Sequence, residues 1–300
     1  MATERETYRY LRLATIVLLV MLGVAVVGQS VAAGCWQTSV SAYYWTSAHG
    51  VVLASLCALG AILVVYRGSS DTEDVVLSLS GYLAFVVALV PVPRAPVCAA
   101  DELPGWEVLA GVRNNVGALL VAVLLTEVAA YVVGRRSTPP RVLDAAGRFW
   151  RGVLWAVLAG VVAVFLLAPG WFAAHGHHAA ALLMFAGIVV VVVVNAFSAR
   201  AEEPSSRFSA AYWAVAVTMV LTLAGELSFR QAAGAAERGV LVLEALLVVE
   251  FAAFWVVQTV ELWGYPTRTA RVQSLRAASV ADASTGERAD GRLTPAPHRS

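Results

Sequence analysis

The fold class that this sequence predicts is all-α: a polytopic bundle of about eight transmembrane helices. Three observations predict it. Apolar residues make up 59% of the 300 residues and charged residues only 14%, whereas soluble domains carry about 25% charged residues. The apolar residues are gathered into eight separate runs between 11 and 263, most of them near the length of about 20 residues that a helix needs to cross a bilayer. All 21 basic residues are Arg, and their placement alternates with the runs. Net charge is +1, which gives no sign of a nucleic-acid partner, so the partner expected is the lipid bilayer.

In chain order, residues 1–10 read as a polar N-terminus. The predicted spans are Leu11–Val31, Ser47–Tyr66, Val75–Val92, Val112–Val133, Gly152–Ala168, His178–Ser198, Ala210–Phe229 and Gly239–Trp263. Pro91 and Pro93 end the third span and Pro169-Gly170 the fifth, since proline cannot continue a helix. The third and fifth are the shortest. Residues 264–300 are rich in Ala, Ser, Thr, Arg and Pro without a long apolar period, which predicts a disordered tail. With eight spans, seventeen Arg fall on the side of both termini and four, Arg94, Arg113, Arg230 and Arg238, on the other. The positive-inside rule then places both termini in the cytoplasm and the chain in the cell membrane. Trp36, Trp45, Trp106 and Trp171 fall at the outer interface, Trp150 and Trp263 at the inner one. An internal repeat of two four-helix halves is suggested by Ala48-His49-Gly50 and Ala174-His175-Gly176, which lie 126 residues apart.

The eighth run draws attention because Glu244, Glu250 and Glu261 interrupt it. A carboxylate at membrane depth must face protein or water. Glu250, Phe254, Gln258 and Glu261 share one helical stripe, which predicts that other helices cover it. Glu127 and Asn195 are further polar groups at depth. His175, His177 and His178 cluster before and at the start of the sixth span. His49 opens the second, Glu226 ends the seventh and Glu244 begins the eighth. We therefore expect His49, His178, Glu226 and Glu244 to line one polar cavity open to the outside, with Glu250 as the next polar group down. Imidazole and carboxylate together suit zinc, with His175 and His178 as candidate ligands, and they equally suit a proton relay. The alternative is that His175 and His177 are solvated loop residues. Cys35 and Cys98 lie in the first and second outer loops, where oxidising conditions permit a disulfide. Ala32-Ala33-Gly34-Cys35 also loosely fits a lipidation site. Cys57 lies inside the second span, as packing.

The stretch SVSAYYWTSAHGVVLASLCALGAILVVYRGSSDTEDVVLSLSGYLAFVVALVP, with VEFAAFWVVQTVELW, resembles an uncharacterised family of actinobacterial multi-pass membrane proteins. That resemblance implies a multi-pass fold and no activity. Alkaline-ceramidase and adiponectin-receptor-like zinc hydrolases need an HxxxH pair with a Ser, a His and an Asp. Here the cluster is His175-Gly176-His177-His178, and Asp71 and Asp74 fall on the opposite side from His49. No HExxH, paired CxxC or GxSxG motif occurs. These residues favour a non-enzymatic protein, a transporter-like module or a partner of envelope machinery. A membrane-embedded metal hydrolase acting on lipid or a lipid-linked precursor is the alternative.

Overall fold

The computed structural model describes residues 2–94, 98, 108–136, 142–202, 206–231 and 239–277; the calls on Trp106, Arg238 and the tail beyond 277 lie outside them. Eight α-helices build the bundle: α1 (Ala2–Ala33), α2 (His49–Val65), α3 (Asp71–Leu89), α4 (Val108–Arg136), α5 (Ala145–Leu167), α6 (Pro169–Glu202), α7 (Arg207–Gln231) and α8 (Gly239–Glu261). A 3₁₀ turn, Ser41–Trp45, precedes α2. Seven of the α-helices are long and apolar enough to cross a membrane, and the eighth, α2, is a shorter apolar helix of 17 residues. The chain is therefore a helical multi-pass membrane bundle.

The helices alternate in direction, as the polar contacts at one end demonstrate. Arg12 near the start of α1 donates to the Tyr66 hydroxyl at the end of α2. Asp71 at the start of α3 accepts from the backbone N–H of Asp144, the N-cap of α5. Glu127 late in α4 meets Arg151 early in α5. Tyr212 early in α7 meets Glu261 at the end of α8. We call this the basic end. The opposite end carries a disulfide between Cys35 and Cys98, whose Cα atoms are 6.1 Å apart; we call it the disulfide end. Its loop is held by Trp45 Nε1 donating to the Val92 carbonyl at 2.8 Å and by the wholly buried Tyr43.

Packing arranges six helices in a ring. Helix α1 packs on α2, α2 on α3, α3 on α6, α6 on α7, α7 on α8, and α8 returns to α1. Helices α4 and α5 lie outside this ring against α3 and α6. Their apolar windows are only 17% and 11% buried, while that of α3 is 83% buried. The two-fold repeat is thus not followed: α8 closes the ring, whereas its counterpart α4 stands outside it.

Helix α3 is where the sequence expectation needs most revision, since the span read as among the shortest is the most enclosed. It begins four residues earlier than expected, at Asp71. Ser70 caps it by accepting from the Glu73 N–H at 3.2 Å, and Glu73 in return accepts from the Ser69 N–H at 2.8 Å. That reciprocal arrangement is a capping box shifted by one residue. Close approach then needs small residues, as helix contacts in a membrane generally do. A Cβ on Gly81 would stand 2.6 Å from the Gly60 carbonyl oxygen of α2, and one on Gly187 of α6 would stand 2.5 Å from Ser80 Oγ.

Three other boundaries differ. The polar residues before Leu11 belong to α1, which starts at Ala2. The segment 169–177, expected as a loop, is the first part of α6, because a proline fits the first helical turn, where its missing N–H costs nothing. The tail does not lose structure at 264: residues 268–277 are helical and are anchored by Arg268, whose N–H donates to Ser69 Oγ.

Candidate functional site

The axis of the six-helix ring is polar at both ends. At the disulfide end lies a pocket of about 70 Å³ to which every ring helix contributes. Its walls include Leu22 from α1, Val52 and Leu56 from α2, Val87 from α3, His177, His178 and Met184 from α6, Glu226 from α7, and Glu244 and Val248 from α8, with Ser41 from the 3₁₀ turn. Three of the four residues expected there, His178, Glu226 and Glu244, therefore line one pocket. Glu244 accepts from the Ser41 N–H at 3.1 Å.

His49 does not line it. As the first residue of α2, its ring turns back over the 3₁₀ turn, with Nδ1 2.8 Å from the Tyr44 carbonyl and the ring edge-on to Tyr44 at 4.4 Å. Its place is taken by His177. This histidine is buried and is not the solvated loop residue that was the alternative expectation. Nδ1 is 2.7 Å from the Val90 carbonyl and Nε2 is 2.9 Å from Ser41 Oγ. A carbonyl can only accept, so Nδ1 carries the proton.

Glu250 also lies off the axis. It faces α7, where Oε1 accepts from Thr222 Oγ1 at 2.9 Å, and Oε2 has no partner among the described residues. The axial stripe of α8 is instead Glu244, Val248, Phe251, Trp255 and Gln258, spaced by three and four residues. His175 is exposed, stacks on Trp171 at 4.8 Å and has Nδ1 3.1 Å from the Trp171 carbonyl, outside the pocket that His178 lines. Among the described residues no group of three or more His, Cys, Asp or Glu is placed to hold a metal ion.

At the basic end the axis carries a polar network among the most deeply buried side chains of the protein. Glu73 Oε1 accepts from Asn195 Nδ2 and from Gln258 Nε2, each at 3.1 Å. The Tyr66 hydroxyl lies 3.4 Å from Gln258 Oε1 and receives Arg12 Nε at 2.8 Å. Arg12 also donates to the carbonyls of Leu262, Tyr265 and Pro266, and so ties the end of α8 to α1. These residues come from α1, α3, α6 and α8 and the end of α2, and Arg12, Glu73, Asn195 and Gln258 are each 1% exposed. Beside them, Arg268 makes two hydrogen bonds to Glu261, at 2.6 and 2.5 Å, and Tyr212 donates to the same carboxylate at 2.6 Å. Burial alone would pull the Arg268 guanidinium down, but its hydrogen bonds to Glu261 and the charge of that carboxylate outweigh it and hold Arg268 above the ordinary arginine range.

Between the two polar zones stands an aromatic layer. Trp255 is fully buried, edge-on to Tyr66 at 5.0 Å and to Phe254 at 5.4 Å. Its indole N–H has no partner among the described residues, which is unusual for a buried Trp. The axis thus runs from a pocket with imidazole and carboxylates, through Phe251 and Trp255, to the network around Glu73.

The sequence reading picked out Asn195 and Gln258 but not Glu73, Arg12 or Tyr66. The signal for Glu73 was Ser70-x-x-Glu73 ahead of an apolar run, the pattern of a helix start. Comparisons of the chain with family models, with curated proteins and with solved structures find no match.

Proposed function

We propose that this protein is a transporter-like module of the cell membrane that admits a proton or another small cation from the outside into the axis of the ring. The observation that carries the reading is the shared pocket of His178, Glu226 and Glu244, on three different helices. Two carboxylates and an imidazole give a site that favours positive charge and whose groups can both take up and release a proton. The pocket has room for a few waters, so a bare cation suits it better than a bulky solute. Trp255 and Phe251 form the closed gate in this reading, and the Glu73 network is the polar zone on the far side.

The orientation belongs to the same proposal. The seventeen-to-four Arg distribution supports a cytoplasmic basic end with both termini and an outer disulfide end. An oxidising exterior also suits the Cys35–Cys98 bond.

The test is cation movement in reconstituted vesicles carrying an internal pH-sensitive dye. Under an imposed gradient between about pH 5 and pH 8, the window in which imidazole titrates, wild-type vesicles should change internal pH faster than empty ones. Glu244→Gln should remove the difference, while Trp255→Ala should increase the flux. Vesicles indistinguishable from empty ones, for protons and for a panel of monovalent cations, would refute the transport reading.

A further inference from the structure

A second cavity, of about 550 Å³, lies outside the ring at the basic end, between the end of α2 and helices α3, α4 and α5. Its volume falls in the range of small-molecule sites. It forms because α4 leans on α3 and α6 over few residues, leaving a cleft bounded by Val64, Val75 and Trp155 on its apolar side. Its polar side is built from three Arg on three different elements: Arg67 after α2, Arg135 in the last turn of α4, and Arg151 in α5.

The charges do not cancel. Two carboxylates line the same cavity, Asp74 and Glu127. Arg151 is paired with Glu127 at 2.6 Å, and Glu127 also accepts from Tyr82 OH at 2.8 Å, so both oxygens of that carboxylate are engaged. Arg67 lies 3.6 Å from Asp74. Among the described residues the partner of Arg135 is neutral: it donates to the Tyr131 hydroxyl at 3.0 Å. Among the described lining residues three guanidiniums face two carboxylates, which leaves one positive charge in excess beside a wall that is apolar.

We infer that this cleft binds the phosphodiester headgroup of an anionic phospholipid, with Arg135 as its principal charge partner. Guanidinium forks and the Tyr131 hydroxyl match the several oxygens of a phosphate. The cleft lies at the basic end of the bundle, at the level where anionic headgroups gather around Arg. The weakly covered faces of α4 and α5 continue the apolar wall and suit acyl chains. The inference is independent of the transport reading, since none of these residues lies on the ring axis.

The experiment is lipid retention by the purified full chain in detergent, read by native mass spectrometry and by thermal stability. The probes are phosphatidylglycerol, phosphatidylcholine and inorganic phosphate. Phosphatidylglycerol should remain bound and raise the melting temperature, and Arg135→Gln should weaken retention about tenfold, the loss of one charge-assisted contact. Arg135 is exposed, so this variant should fold. Arg113→Gln, at the other end of the bundle, should retain lipid as wild type does. Equal retention of phosphatidylcholine, or retention unchanged in Arg135→Gln, would overturn the proposal. Stabilisation by inorganic phosphate equal to that by phosphatidylglycerol would overturn the lipid assignment and leave a site for free phosphate.

Discussion

Removing the Glu73 carboxylate should unlock the basic end of the bundle. Three donors converge on it: Ser69 N–H, Asn195 Nδ2 and Gln258 Nε2. In Glu73→Ala, Asn195 keeps its bond to the Val191 carbonyl, so its loss is partial. Ser69 N–H loses its carboxylate acceptor, and Gln258 is left with a contact of 3.5 Å to Asn195 Oδ1. A buried donor left unpaired costs about 1–3 kcal/mol. The buried Gln258 Nε2, the half-buried Ser69 N–H at a smaller cost, and the cavity left by the side chain therefore amount to about 4 kcal/mol. At about 2–4 °C per kcal/mol for a chain approaching this size, the melting temperature should fall by about 10 °C. Glu73→Gln keeps the shape and an oxygen for Asn195 and Gln258 but turns its NH₂ towards the Ser69 N–H, which can only donate, so about half of that fall is expected. The assay is thermal unfolding in detergent, followed by the loss of the monodisperse peak in size-exclusion chromatography. If both variants melt within about 2 °C of wild type, the network does not hold the ring together and the reasoning fails.

Gly81→Leu should prevent folding of the α2–α3 pair, because even its Cβ would stand 2.6 Å from a backbone oxygen; expression as aggregate would be the readout. Glu261→Gln should loosen the helix at 268–277, since Arg268 would keep only Glu202, at 3.6 Å, as a carboxylate partner among the described residues, and the loss should stay below the about 3–5 kcal/mol of a buried pair broken outright. Faster proteolysis after α8 would report it. Because Arg268 titrates above the ordinary arginine range, the stability from this pair is fully present below the unfolded pKa and should show no decline between pH 6 and about pH 10. Glu250→Gln should leave cation uptake unchanged, because Glu250 faces Thr222 on α7 and not the axis.

The architecture was legible because the bilayer imposes it: apolar runs of the right length, with Arg alternating between them, specify spans and their order. The site was legible where depth alone decided it. His178, Glu226 and Glu244 were placed together because all three fall near helix ends of the same side. What depth cannot give is rotation about the helix axis, and there the expectations failed. Glu250 shares a stripe with Phe254 but points between α7 and α8, and His49 turns back on its own loop. His177 was passed over because Pro169-Gly170 reads as a break, although proline starts α6 there. The hub at Glu73 was hidden for another reason. Glu73 stands two residues before the expected start of its span at Val75, and only packing by α6 and α8 makes it buried.

The central claim, a pocket on the ring axis open at the disulfide end, is tested most directly by thiol labelling from outside intact cells. Ala181→Cys places a thiol on the pocket wall, and Gln258→Cys places one below Trp255 on the same axis, each in a Cys57→Ala background with the Cys35–Cys98 bond kept. A membrane-impermeant thiol reagent added outside should modify the first and spare the second. Modification of Gln258→Cys from outside, or protection of Ala181→Cys there with labelling only in inverted vesicles, would contradict the account.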